Sequence, residues 1–333
     1  MTESSWGPSP AAGFLGQSGQ AGGVPAGPSR DAGESAQTRP MSITPPRPGD
    51  GSAHGPEPAK PRKRGGRDLR AAIGVGAGLG AVVLASIFVY KPVFLGVIAV
   101  AVVVGLWELA ARLSERKQIR PPLVPLALGG AATVVSGYFW HAQGAWIAVS
   151  FTALAVLVWR MARPPENYLR DVTAGVFAAF YVPFLASFVA VMLAADDGPW
   201  RVLTFLLLTV VSDTGAYAVG FRLGRHKLAP RISPGKTVEG LAGAVLFAMV
   251  AGALCLQFLV DDGVWWQGLV VGLGAAVSAT LGDLGESMIK RDLGIKDMGT
   301  LLPGHGGIMD RLDSLLPTAP VVWLLLRVFV GAG

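Results

Sequence analysis

Between Gly282 and Ser314 the chain gathers Asp283, Glu286, Lys290, Arg291, Lys296, Asp297, His305, Asp310, Arg311 and Asp313, with glycines on both sides of the histidine. Carboxylates are hard oxygen ligands and suit Mg2+ better than zinc. Lysine and arginine neutralise and orient phosphate oxygens. The run Pro303-Gly304-His305-Gly306-Gly307 precedes an apolar segment. Glycines before a helix let backbone N–H groups approach an anion, which the helix N-terminus favours. If a helix continues past Gly282, then Asp283, Ser287 and Lys290 fall at i, i+4 and i+7 and share one face. Asp310 and Asp313, spaced i, i+3, share a face at the start of the last helix. The combination predicts a site for phosphate and metal. A solvated loop that only sets topology would account for the lysines and arginines, but not for five aspartates and the Gly-His-Gly-Gly run among them. For His305, general acid–base work and a role in shaping the loop or bonding a phosphate are both open.

A second polar stretch spans 212–240. Asp213 stands at the end of an apolar run, where an ionisable residue is a functional candidate by default. Ser233-Pro234-Gly235-Lys236-Thr237 superficially resembles a phosphate loop. It is not a Walker A sequence, because Pro230 stands where the first glycine belongs. Its hydroxyls and ammonium could still meet a phosphate chain, and Glu239 could cap the following helix or bind metal. Glu108 is expected to face the helix bundle or the cytoplasmic interface. Gly272 and Gly274 lie in an apolar run without the third glycine of a dinucleotide fingerprint, so they read as packing.

The rest of the chain must hold these stretches. Of 333 residues, 51% are hydrophobic and 15% charged, and the mean hydropathy is +0.49. With its long apolar runs, this composition excludes a soluble α/β enzyme and predicts an all-α polytopic membrane protein. Nine transmembrane helices are expected, near 71–90, 93–111, 122–140, 144–161, 172–194, 201–220, 238–260, 264–282 and 315–331. Residues 1–68 are rich in Pro, Gly, Ser and Ala and are expected to be a disordered cytoplasmic tail, followed by a membrane domain over 69–333. The tail ends in a basic run, Lys60 to Arg70, as a juxtamembrane segment at an anionic leaflet would. Net charge is +6, but the basic residues lie in loops, which indicates topology and phosphate contacts and not nucleic acid. Basic loops at 112–120, 160–170, 221–236 and 283–313 alternate with short non-basic ones such as Lys91-Pro92 and His141-Ala142-Gln143. By the positive-inside rule both polar stretches face the cytoplasm. The lone Cys255 excludes a disulfide framework and a thiolate zinc site within the chain.

Residues 287–313 resemble the phosphatidate cytidylyltransferase (CDP-diacylglycerol synthase) family. Ser287, Lys290, Arg291, Lys296, Asp297, Gly299, Leu302, Pro303, His305, Gly306, Gly307, Asp310, Arg311 and Asp313 all match its signature. Ser212 to Tyr217 and the segment Ser233, Pro234, Lys236, Thr237, Glu239 and Gly240 are also similar to it. The family commonly has lysine where this chain has Gly235. The resemblance implies transfer of CMP from CTP to phosphatidic acid, with Mg2+. It implies that Asp283 and Asp310, then Asp213 and Asp313, hold metal. Lys236, Lys290, Arg291 and Arg311 would clamp phosphates, Ser233, Thr237 and Lys296 would contact the nucleotide, and His305 would sit against the leaving or attacking phosphate. The expected partners are CTP, phosphatidic acid and membrane lipids, with a homodimer allowed and no nucleic acid. The expected location is the plasma or inner membrane, with the site on the cytoplasmic face. A CTP-dependent lipid kinase is the nearest rival. A transporter is disfavoured because the ionisable residues gather at one face and not at mid-membrane.

Overall fold

The computed structural model describes residues 69–299, 301 and 306–331. The expected tail, 1–68, lies outside the described residues, as does His305. Among the described residues, seven helices are long and apolar enough to cross a membrane. The long elements are α1 (Leu69–Val89), α2 (Lys91–Lys117), α3 (Leu123–Met161) and α4 (Tyr168–Ala179). A π-helical turn (Phe180–Phe184) joins α4 to α5 (Leu185–Ala194), and the three form one span. They are followed by α6 (Gly198–Leu223), α7 (Val238–Phe258), α8 (Trp265–Asp292), the short α9 (Met309–Leu312) and α10 (Leu315–Val330). Proline sits in the first turn of α2 and of α6, where its missing N–H costs nothing and its fixed φ suits the helix.

The seven helices differ from the expected nine at two places. The apolar part of α1 is Gly80–Val89, which alone is too short to qualify. The expected spans 122–140 and 144–161 are joined in α3. Its 39 residues would extend about 58 Å if straight, against a hydrocarbon core of about 30 Å. It is not straight. Trp140 and His141 leave helical geometry, with His141 at φ 54° and ψ −151°. A side chain on Gly129 would collide with Thr152, and one on Gly144 would collide with Trp140 and the carbonyl of Ser136. Residues so far apart in sequence touch only because the chain doubles back at His141.

The helices surround a core that includes Leu106, Leu126, Val134, Phe205, Leu208, Val271 and Val322, all buried. Large apolar side chains such as Leu128, Phe151, Phe221 and Phe258 point outward. So much exposed apolar surface fits a protein surrounded by acyl chains. Glycines bring three helices into close contact. Gly215 of α6 faces the carbonyl of Gly243 of α7, and a Cβ there would lie 3.1 Å from that oxygen. Gly252 of α7 meets Gly268 and Gly272 of α8 so closely that a Cβ on any of them would strike the partner's backbone. Small residues at such crossings let backbones approach where no hydrophobic force drives association.

Charged pairs lie at the two ends of the bundle. Near the loops expected to be cytoplasmic, Arg160 pairs with Asp171 at 2.9 Å and donates to the carbonyls of Pro164 and Glu166, fixing the 162–167 loop. At the opposite end Arg201 pairs with Asp197 and donates to the carbonyl of Gly331. One element departs from the all-α expectation. β1 (Lys227–Ala229) and β2 (Ser233–Thr237) form an antiparallel hairpin between α6 and α7.

Candidate active site

Helix α8 continues to Asp292, so Asp283, Glu286, Ser287 and Lys290 fall on one face. The Ser287 hydroxyl donates to Asp283 Oδ1 at 3.3 Å. Lys290 Nζ donates to Glu286 one turn back and to Asp310 Oδ1 of α9 at 3.2 Å. Glu286 is fully buried, and its Oε1 has no partner among the described residues. A buried carboxylate is costly unless paired, and the Lys290 ammonium supplies that pairing.

Asp313, just past α9, lies close enough to Asp283 and Glu286 for their charges to interact, and Asp213 of α6 feels both Asp313 and Asp283. The Ser314 hydroxyl donates to Asp213 Oδ2 at 3.2 Å. Lys236, on β2, forms an ion pair with Asp283 Oδ2 at 2.7 Å. Three helices and the hairpin therefore bring Asp213, Asp283, Asp313, Lys236 and Lys290 together. Helix α6 runs on to Leu223, ten residues past Asp213. Asp213 and Asp283 thus sit about 14–15 Å inside the ends of their helices and not at the rim.

Asp310 faces the loop that follows α8. Its carboxylate accepts from the N–H groups of Met298 at 3.0 Å, Gly307 at 2.8 Å and Gly299 at 3.4 Å, which clamps the two limbs of the loop. Gly306 has φ 80°, and a side chain there would also run into Asp310. Helix α2 holds the loop from the other side. Buried Glu108 accepts from Met309 N at 2.8 Å, and one turn on, Arg112 Nε donates to the carbonyl of Met298 at 2.7 Å. A Cβ on Gly299 or Gly307 would overlap the Glu108 carboxylate. These two glycines make room for a buried acid.

The remaining sequence-predicted residues are placed otherwise. Thr237 caps α7, accepting from Gly240 N at 3.1 Å, and Ser233 begins β2. Arg291 Nε donates to the carbonyl of Ile232 at 3.1 Å, tying α8 to the hairpin. Lys296 and Arg311 are exposed. Glu239 accepts from Arg225 N and His226 N and pairs with His226 Nδ1, so it holds the approach to the hairpin.

One contributor was missed. Tyr181 lies on the π-helical turn with its hydroxyl buried and unpartnered, facing Glu286, Asp313 and Asp283. Single π turns re-aim side chains and recur at functional sites, but nothing in the sequence marks Tyr181. Glu108, the one acid within the apolar run 93–111, is buried in the bundle as expected, where it holds the loop.

Among the described residues, no group of three His, Cys, Asp or Glu is arranged as a finished metal site. The donor set nevertheless fits a hard cation. Asp213, Asp283, Glu286 and Asp313 outnumber the ammonium groups of Lys236 and Lys290, and Glu286 Oε1 and the Tyr181 hydroxyl are buried oxygens without partners. The cluster can neutralise and align two polyanions with its lysines while its carboxylates accept a cation between them.

The sequence profile of the cytidylyltransferase family matches residues 70–329. A phosphatidate cytidylyltransferase of Mycobacterium bovis is 40% identical over 283 residues, which cover 81% of this chain and 92% of that protein. One from Mycobacterium leprae is 41% identical over 279 residues, covering 79% and 89%. One from Haemophilus influenzae is 29% identical over 269 residues, covering 72% and 92%. With a profile match across most of its length and relatives this similar, the chain belongs to the cytidylyltransferase family.

Proposed function

We propose that this chain transfers CMP from CTP to phosphatidic acid, forming CDP-diacylglycerol and pyrophosphate, in phospholipid biosynthesis. The observation that carries the reading is the convergence of Asp213, Asp283 and Asp313 beside Lys236 and Lys290, in a chain whose relatives bear the name of this activity.

The acceptor is a phosphate monoester with a second pKa of about 6, so its attacking oxygen is already largely ionised near neutral pH. No strong general base is needed. A lone pair on that oxygen forms the new bond to the α-phosphorus of CTP. The bond between the α-phosphorus and the bridging oxygen breaks, and its electrons leave with pyrophosphate. The difficulty is holding two anions in line against their repulsion. Lys236, paired with Asp283, and Lys290, paired with Glu286 and Asp310, would do this, with Arg291 and Arg311 nearer the surface. Ser233, Thr237 and Lys296 would contact the nucleotide, and His305 would meet the leaving or attacking phosphate. Asp283, Asp213 and Asp313 would hold Mg2+, which when bound supplies the charge that screens the two anions from each other. Asp310 belongs to the same set by sequence. Its hydrogen bonds to the loop favour positioning over direct ligation.

The site faces the cytoplasm in the plasma or inner membrane, because the basic loops flank it. Counting the two arms of α3 separately, together with α1, gives nine crossings. Residues 1–68 form a cytoplasmic tail ahead of the membrane domain 69–333, and a homodimer is compatible with the outward apolar faces.

Incubating the purified protein with phosphatidic acid, Mg2+ and CTP labelled at either the α- or γ-phosphate tests the reading. Label from the α position should reach the lipid, with release of pyrophosphate. Label from the γ position in the lipid would identify a CTP-dependent lipid kinase instead.

A further inference from the structure

On the side of the carboxylates away from the hairpin, α1, α2, α5, α6, α9 and α10 line a partly open apolar cavity of about 140 Å³. Its walls include Ala101, Ala186, Phe205, Leu206, Leu315 and Ala319, and no polar side chain lines it. It begins close to the polar cluster. On α6, Phe205 and Leu206 precede Asp213 by seven or eight residues, about 11 Å along the axis. On α10, Leu315 and Ala319 follow Asp313 by two and six residues, about 3 and 9 Å. Leu312 and Leu315 flank Asp313 and Ser314, so one stretch of chain presents leucines to the cavity and polar groups to the cluster. Ala186 lies just over one turn beyond Tyr181, whose hydroxyl faces the acids.

We infer that this cavity receives methylene groups of one acyl chain of the lipid-phosphate acceptor, which seats the acceptor's phosphate at the carboxylate and lysine cluster. An apolar cavity of about 150 Å³ stays dry and accepts a hydrocarbon the size of benzene, so a short length of acyl chain matches this one. The nucleotide is polar throughout its phosphate chain and sugar, and the cavity offers no partner for such groups. Of the two substrates only the lipid combines an anionic head with apolar carbon a few ångströms away, which is the arrangement that cluster and cavity present together. The inference rests on the acceptor being a lipid phosphate, as proposed above.

The test is photolabelling of the full-length protein in lipid nanodiscs, without CTP, using phosphatidic acid that carries a diazirine on one acyl chain. Label is expected on peptides around Ala101 and Leu315. It should be suppressed by excess unlabelled phosphatidic acid but not by equal phosphatidylcholine, and lost when Ala101→Leu and Ala186→Leu together fill the space. Equal labelling by a diazirine phosphatidylcholine, or labelling confined to outward residues such as Val100 and Leu324, overturns the inference. Turnover gives a second measure. The two leucines add six carbons, enough to displace several methylenes at about 0.8 kcal/mol each, so KM for a long-chain acceptor should rise more than about tenfold while that for a short-chain acceptor stays unchanged. An equal change for both would count against the inference. Absence of CMP transfer to any lipid phosphate by the unmodified protein would refute the proposed function, while the competition pattern would still decide whether the cavity holds a lipid-phosphate chain.

Discussion

Replacing Gly299 by alanine tests the reading of the signature loop. Gly299 has no positive φ, so alanine meets no conformational penalty, although its Cβ would lie 2.9 Å from the Cα of Gly307. The larger obstacle is the Glu108 carboxylate, which occupies the place the new methyl would take. Forcing atoms into a packed site costs about 1–3 kcal/mol. Glu108→Ala removes the larger obstacle, leaving only the Gly307 contact, but strips the buried N–H of Met309 of its carboxyl acceptor, a loss of about 1–3 kcal/mol. Each single change should therefore loosen the loop and lower CMP transfer by about tenfold to hundredfold, since 1.4 kcal/mol is tenfold. The double variant should be much less impaired than the product of the two, with a coupling of about 1–2 kcal/mol. Glu108→Gln keeps an acceptor oxygen and a similar volume and should retain most activity. The assay is kcat/KM for the four forms, with thermal unfolding alongside to confirm folded protein. If Gly299→Ala is silent, or if the two losses simply add, the glycine is not there to accommodate Glu108.

Three further outcomes follow from the site. Asp283→Asn should lower kcat by about 10²–10³-fold and raise the Mg2+ concentration for half-maximal rate, and near-normal transfer with an unchanged Mg2+ titration would remove Asp283 from the metal set. Tyr181→Phe removes a buried hydroxyl that has no partner, so it should stabilise the fold by about 1 kcal/mol while slowing CMP transfer. A faster or equally fast enzyme would place the hydroxyl outside the reaction. Asp171→Ala strands the Arg160 guanidinium and should cost about 3–5 kcal/mol in unfolding experiments, and a stable variant would mean that water reaches the pair.

The parts legible in the sequence were those with a local period. The apolar runs marked the helices, and the i, i+4, i+7 spacing put Asp283, Ser287 and Lys290 on one face because α8 is a regular helix. The reversal within α3 was legible too, since the short loop His141-Ala142-Gln143 was expected between two apolar runs and the chain doubles back there at Trp140 and His141. Features that depend on distant contact were not legible. The role of Glu108 depends on a loop about 190 residues further along the chain. Nor does the sequence reveal that Gly299 and Gly307 make room for Glu108, because a missing side chain looks the same in sequence whether it admits a phosphate or a carboxylate. Glu239, a candidate metal ligand by composition, is committed to backbone N–H groups near His226.

The glycine contacts between α7 and α8 have a mechanical consequence. At Gly252, Gly268 and Gly272 the two helices meet main chain to main chain, with no layer of side chains to yield between them. The pair therefore acts as a stiff caliper whose jaws are Lys236, just ahead of α7, and Asp283, near the far end of α8. A single methyl added at Gly272, some 16 Å from Asp283 along the axis, would pry the jaws apart without touching any charged group. The register that lets this ammonium meet this carboxylate is thus set in the apolar middle of the bundle, far from the ion pair itself.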